Sequence, residues 1–77
     1  MSVASVIKHR LSELNMTQTE LAERIGTTRQ NLANKMTRDN FSSKELCSIG
    51  EALGLKLILK DTKGNEHIIE YIPDNEG

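Results

Sequence analysis

Thr17-Gln18-Thr19-Glu20-Leu21-Ala22-Glu23-Arg24-Ile25-Gly26-Thr27-Thr28-Arg29-Gln30-Asn31-Leu32 holds the signals that decide the fold. It opens on Thr17-x-x-Glu20, a capping box in which each residue satisfies an unpaired N–H of the other. Met16 before the cap and Leu21 four positions into the helix form a hydrophobic staple. Gly26 then stops the chain, as a residue free to adopt positive φ does. A weaker box, Thr27-x-x-Gln30, starts the next element. The expected helices are therefore short, 18–25 and about 28–37, with a tight turn between them.

Working outward, the same device recurs at Ser42-x-x-Glu45, with Phe41 placed to staple Leu46. It predicts a helix over 43–53, ended by Gly54. Upstream, Val3, Val6 (or Ile7), Leu11 and Leu14 repeat at helical spacing and predict a first helix. Downstream the period falls to two. Leu55 to Lys60 alternates, as does the segment around 67–72, and Asp61-Thr62-Lys63-Gly64 suits a type I turn with Gly in the left-handed position. That three-residue loop sets a register in which paired numbers sum to 126. One face carries Leu55 with Tyr71, Leu57 with Ile69, and Leu59 with His67. The other carries Lys56 with Glu70, Ile58 with Ile68, and Lys60 with Glu66. Two opposite-charge pairs across the strands support the register, and a one-residue slip would break both.

Two short helices joined by a Gly turn form a helix-turn-helix unit, whose geometry makes specific demands. Ala22 must be small where the helices cross, Gly26 must turn the chain, and Ile25 and Leu32 must lock the crossing, with Leu21 facing the core. The net charge of −1 is unpromising for a polyanion partner, but it hides an asymmetry. Residues 1–38 hold Lys8, Arg10, Arg24, Arg29, Lys35 and Arg38 against Glu13, Glu20 and Glu23, a net +3. Residues 39–77 hold four Lys against eight acids, a net −4. Attraction to phosphate follows the local charge, not the sum.

The segment 17–32 resembles the lambda-repressor-like (Cro and Xre-type) DNA-binding family, and the resemblance extends over roughly 5–54. It implies a mainly α fold, a four-helix lambda-repressor-like helix-turn-helix domain, here with a C-terminal β-hairpin. It also implies that helix three lies in the major groove of double-stranded DNA. Family members usually carry an apolar residue where Lys35 stands; here Met36 takes that core place. The hairpin lies outside the shared region, although Cro-type relatives dimerise through a C-terminal strand.

The exposed side of helix three offers suitable chemistry. Arg grips guanine O6 and N7 with two bonds, and Gln or Asn does the same for adenine N6 and N7. The candidate base readers are Arg29, Gln30 and Asn34. The resemblance places Gln18 on a phosphate, where a helix N-terminus favours negative charge. Thr17, Thr28, Asn31, Lys35, Arg38, Asn40 and Lys44 are further phosphate candidates. Each has a plainer reading. Gln30 is also the capping partner of Thr27, Asn31 and Asn34 are also solvated helix positions, and Lys35 and Arg38 are also ordinary cations at a helix C-terminus. Asp39 is expected to bond neighbouring loop atoms rather than meet anionic DNA.

Other chemistry finds little support. His9 and His67 lie on different elements without a thiolate or carboxylate cluster. There is no metal-ligand spacing, Gly-rich phosphate loop or nucleophile elbow, so neither enzyme activity, metal nor cofactor is expected. Cys47 reads as a small core residue beside Leu46, Ile49 and Leu53. Two aromatic residues are too few to stack single-stranded bases. One cysteine, no membrane-length apolar run and no secretion-type N-terminal pattern fit the cytoplasm.

The expected organisation is a DNA-binding unit over 1–54, a hairpin over 55–72 and a flexible tail over 73–77. A chain of 77 residues buries only about 60–65% of its unfolded surface and often gains stability by association. Ile58, Ile68 and Ile72 on the outer hairpin face are the expected homodimer contact. The expected function is a sequence-specific transcriptional regulator, a repressor acting as a homodimer. Two other readings stay open: an antitoxin whose acidic tail binds a toxin protein while its helices bind the operator DNA, and a protein-interaction module that binds no DNA. No effector pocket is expected in so small a domain.

Overall fold

The capping boxes at Thr17 and Ser42 do what their spacing requires in the computed structural model, which describes residues 1–70. The described residues form α1 (Val3–Leu14), α2 (Gln18–Arg24), α3 (Arg29–Arg38), α4 (Ser43–Leu53), β1 (Leu57–Lys60) and β2 (Glu66–Ile69). The Thr17 hydroxyl accepts from the Glu20 N–H, and the Glu20 carboxylate accepts from the Thr17 N–H at 2.9 Å. Ser42 and Glu45 repeat the exchange at the start of α4. Both acids are held below the usual carboxylate range. The Thr17 backbone N–H is the main cause for Glu20; for Glu45 it is a hydrogen bond from Lys35, followed by the Ser42 N–H.

The third start differs from the expected one. Thr28, not Thr27, caps α3, its hydroxyl accepting from the Asn31 N–H at 3.1 Å. Gly26 takes φ +77 and holds the turn one residue longer, so the chain enters α3 late. Gln30 is thereby released from any capping duty.

The core is a single cluster of Ala4, Ile7, Leu11, Leu21, Ala22, Leu32, Met36, Ile49 and Leu53, with Met16, Ile25, Phe41, Ala52 and Leu55 packed around it. Ala22 is 1% exposed at the α2–α3 crossing, and Met36 fills the place next to Lys35. Two expectations need correction. The buried stripe of α1 is Ala4, Ile7 and Leu11, while Val3, Val6 and Leu14 stay on its exposed flanks. Cys47 is only half-buried and stands outside the core cluster, its thiol 3.7 Å from the Ile69 carbonyl of the hairpin.

Long-range polar contacts tie the helix ends together. Asp39, in left-handed conformation at the C-cap of α3, accepts from the Ala4 N–H of α1 at 2.7 Å. It therefore reaches 35 residues back along the chain, beyond its own loop. The Arg10 guanidinium donates to the Leu53 carbonyl at 2.8 Å, placing a cation at the C-terminus of α4.

The hairpin has the expected register: Leu57 with Ile69, Ile58 with Ile68, Leu59 with His67, and Lys60 with Glu66. The Gly64 N–H returns to the Asp61 carbonyl at 3.0 Å, closing the turn. Lys56 and Glu70 flank the ladder, and Tyr71, Ile72 and 73–77 lie outside the described residues. The hairpin is seated by a close approach. Leu55 donates its N–H to the Gly50 carbonyl at 2.8 Å, and Gly50 faces the Leu55 carbonyl so closely that no Cβ would fit.

Candidate nucleic-acid interface

Helix α3 has one face committed to the core and one to solvent. At about 100° per residue, Leu32 and Met36 form the inward seam. Asn34 stands opposite that seam, with Gln30 and Arg38 one turn to either side, and all three are exposed. Arg29 lies nearer the seam, but at the open N-terminal end of the helix, where it too is exposed. The buried locks Leu21, Ala22 and Leu32 fix this face relative to α2.

The polar side chains hydrogen-bond to one another. Gln30 donates to the Asn34 side-chain oxygen at 3.4 Å, and Asn31 donates to the Thr27 hydroxyl at 3.4 Å. Thr27, read only as a cap, instead orients Asn31. A polar hollow of about 400 Å³ runs beside the helix and gathers Asn31, Asn34, Lys35, Arg38 and Asn40 with Thr27 and Glu45. Five of the eleven sequence-chosen DNA residues therefore meet in one recess.

The other candidates lie apart from that recess. Arg29 and Gln30 project from the first turn of α3. Gln18 is half-buried at the first position of α2. Thr17 has both its donors engaged: its N–H and its hydroxyl bond to the Glu20 carboxylate. Thr28 accepts through its hydroxyl oxygen, leaving the hydroxyl hydrogen to donate outward. Lys44 is exposed in the first turn of α4.

Glu45 is the residue that sequence reasoning undervalued. Its carboxylate closes its own capping box and also meets the Lys35 ammonium at 2.7 Å. Lys35 thus carries a built-in counter-ion. The signal for it was weak, because the two residues are ten apart and on different helices. Behind this pair a hollow of about 360 Å³ lies between α3 and α4, floored by Ile25, Leu32, Phe41 and Ile49.

The charge pattern, the two short helices and the exposed face of α3 now bear on family. Residues 5–59 match the bacteriophage CI repressor helix-turn-helix domain. The chain belongs to that family. It is therefore a lambda-repressor-like domain of the kind found in DNA-binding transcriptional regulators. The match begins at the third residue of α1, takes in the other three helices and the first three residues of β1, and ends before β2. No curated protein and no solved structure matches the chain. No helix among the described residues is long and apolar enough to cross a membrane, and no group of three metal-binding side chains occurs among them.

Proposed function

We propose that this CI-type domain is a sequence-specific repressor that lays α3 in the major groove of double-stranded DNA. The observation that supports this most directly is the division of α3. Its Leu32 and Met36 seam is buried, and its opposite face presents Gln30, Asn34 and Arg38. Arg29, Gln30 and Asn34 read base edges. Residues near the N-terminus of a recognition helix approach the bases most directly, which favours the first two. Gln18, Thr28, Asn31, Lys35, Arg38, Asn40 and Lys44 hold phosphates, which position the helix without carrying sequence information. Thr17 could join them only by giving up its bonds to Glu20.

A helix this short spans few base pairs. Two copies on half-sites about 34 Å apart, one turn of B-DNA, would multiply both affinity and specificity. The hairpin face bearing Ile58 and Ile68, with Ile72 beyond the described residues, is the contact between copies. The hollow beneath α3 does not by itself support an effector.

The test is to recover preferred duplexes from a random pool with the full chain, then repeat with Asn34→Ala. Enrichment of a motif with two similar half-sites, and altered preference at one position per half-site in the variant, fits the proposal. A pool that stays random rejects it.

A further inference from the structure

The outer face of the hairpin is self-complementary in one arrangement only. Ile58 and Ile68 sit opposite each other at its centre, Ile58 half-buried and Ile68 52% exposed. Lys60 and Glu66 pair at one end, and Lys56 and Glu70 flank the other, all exposed. Both Lys are on the β1 side and both Glu on the β2 side. None of the four enters an ion pair among the described residues, so all four charges are available to a partner. The opposite face is turned to the helices at its Leu55 end, with Leu55 packed on the core and Leu57 and Ile69 half-buried, while Leu59 and His67 at the turn end are exposed.

This pattern discriminates between the ways in which a second copy could dock. Edge-to-edge pairing of β1 with β1 about Ile58 sets Lys56 against Lys60. Pairing of β2 with β2 about Ile68 sets Glu66 against Glu70. Like charges directly opposite oppose both. Face-to-face stacking about a two-fold axis across the strands also stacks Lys56 on Lys60. An axis running parallel to the strands, midway between them, instead lays β1 of one copy over β2 of the other at the same level. Every Lys then faces a Glu, and Ile58 faces Ile68.

We propose that two copies stack these hairpin faces about a two-fold axis parallel to the strands, with Lys60 against the partner's Glu66 and Ile58 against the partner's Ile68. This deepens the homodimer reading and rests on it. Aligned sheets pack about 10 Å apart with their strands about 30° from parallel, so a ladder this short keeps its facing residues in reach. Six side chains cover far less than the roughly 800 Å² per partner of a stable complex. The free chain therefore associates weakly, and adjacent half-sites on one duplex supply the effective concentration.

The test uses full-length chains carrying K60E or E66K, each alone and in equimolar mixture. Self-association is read by sedimentation at high concentration, and cooperativity on a duplex with two half-sites. The 58–68 cross-strand amide contact is checked by NMR. The expected result is that each variant alone weakens association about tenfold, since two facing pairs turn from attractive to repulsive. The mixture, which again sets Lys against Glu at both contacts, returns to the wild-type level. Tightening by K60E would overturn the axis, because it relieves Lys56 against Lys60 in the crossed arrangement. Wild-type behaviour of both variants would overturn the stacked face and leave the homodimer standing. A mixture that fails to recover would show that the charges serve only the hairpin itself. A wild-type chain that never associates, free or on DNA, would remove the homodimer and this arrangement with it.

Discussion

Gly50→Ala should destabilise the domain, although the same change in an ordinary helix interior stabilises it. Ala exceeds Gly in helix propensity by about 1 kcal/mol. At position 50 the new Cβ would lie 2.5 Å from the Leu55 carbonyl oxygen and 3.4 Å from its carbon. The obstacle is backbone and cannot rotate away, so the segment leading into β1 must retreat by at least 0.5 Å to reach even the 3.0 Å limit. Overpacking of this kind costs about 1–3 kcal/mol. The retreat also strains the 2.8 Å bond from the Leu55 N–H to the Gly50 carbonyl, worth about 1 kcal/mol. Setting the propensity gain against these leaves a net loss of about 1–3 kcal/mol, or a fall in Tm of about 4–24 °C for a chain of this size. Thermal unfolding followed by circular dichroism measures it, and Ser48→Ala, at an exposed position of the same helix, supplies the ordinary gain for comparison. A higher Tm for Gly50→Ala would show that the hairpin is not seated on α4 as described.

Asp39→Ala should cost about 1–2 kcal/mol in urea unfolding, because the bond to the Ala4 N–H at the start of α1 is lost. Asp39→Asn, which keeps an acceptor and tolerates the left-handed backbone, should recover part of that. Stability should fall in acid. Glu20, Glu45 and Asp61 have folded pKa values lowered by hydrogen bonds, so their contribution is complete above the ordinary carboxylate value. It is lost as pH drops through that value and below it. Urea midpoints measured down the acid range should decline, whereas a flat profile would contradict the capping contacts. Glu45→Gln should release Lys35 and tighten DNA binding at low salt, steepening the salt slope by up to about one phosphate. An unchanged slope would place Lys35 off the backbone.

What was legible in the sequence was mostly local. The boxes at Thr17 and Ser42 could be read because each bond spans three residues. The hairpin register could be read because a three-residue loop and two cross-strand charge pairs admit only one alignment. What was not legible depended on tertiary approach. Thr27 and Thr28 are both competent caps, and only the path through Gly26 selects Thr28. Val6 and Ile7 fit the α1 stripe equally well until α4 is placed against it. Gly50 looked like a weak helix residue because nothing local reveals the Leu55 carbonyl above it. At the interface, the exposure of Gln30 and Asn34 followed from the period of α3, and that of Arg29 from its place at the open N-terminal end. The pairing of Lys35 with Glu45 and the carboxylate of Asp39 on α1 join residues distant in sequence, and no spacing rule could anticipate them.

Engagement of duplex DNA by α3 is the central claim. The decisive measurement is fluorescence anisotropy of a labelled duplex, titrated with the full chain at a low and a higher salt concentration, for wild type and Arg29→Ala. Wild type should bind, and log K should fall linearly with log salt at about 0.9 per phosphate held. Arg29→Ala should lose about 1–3 kcal/mol on the preferred sequence and little on unrelated DNA. No binding at low salt would contradict the claim, and equal losses on every sequence would remove Arg29 from the bases.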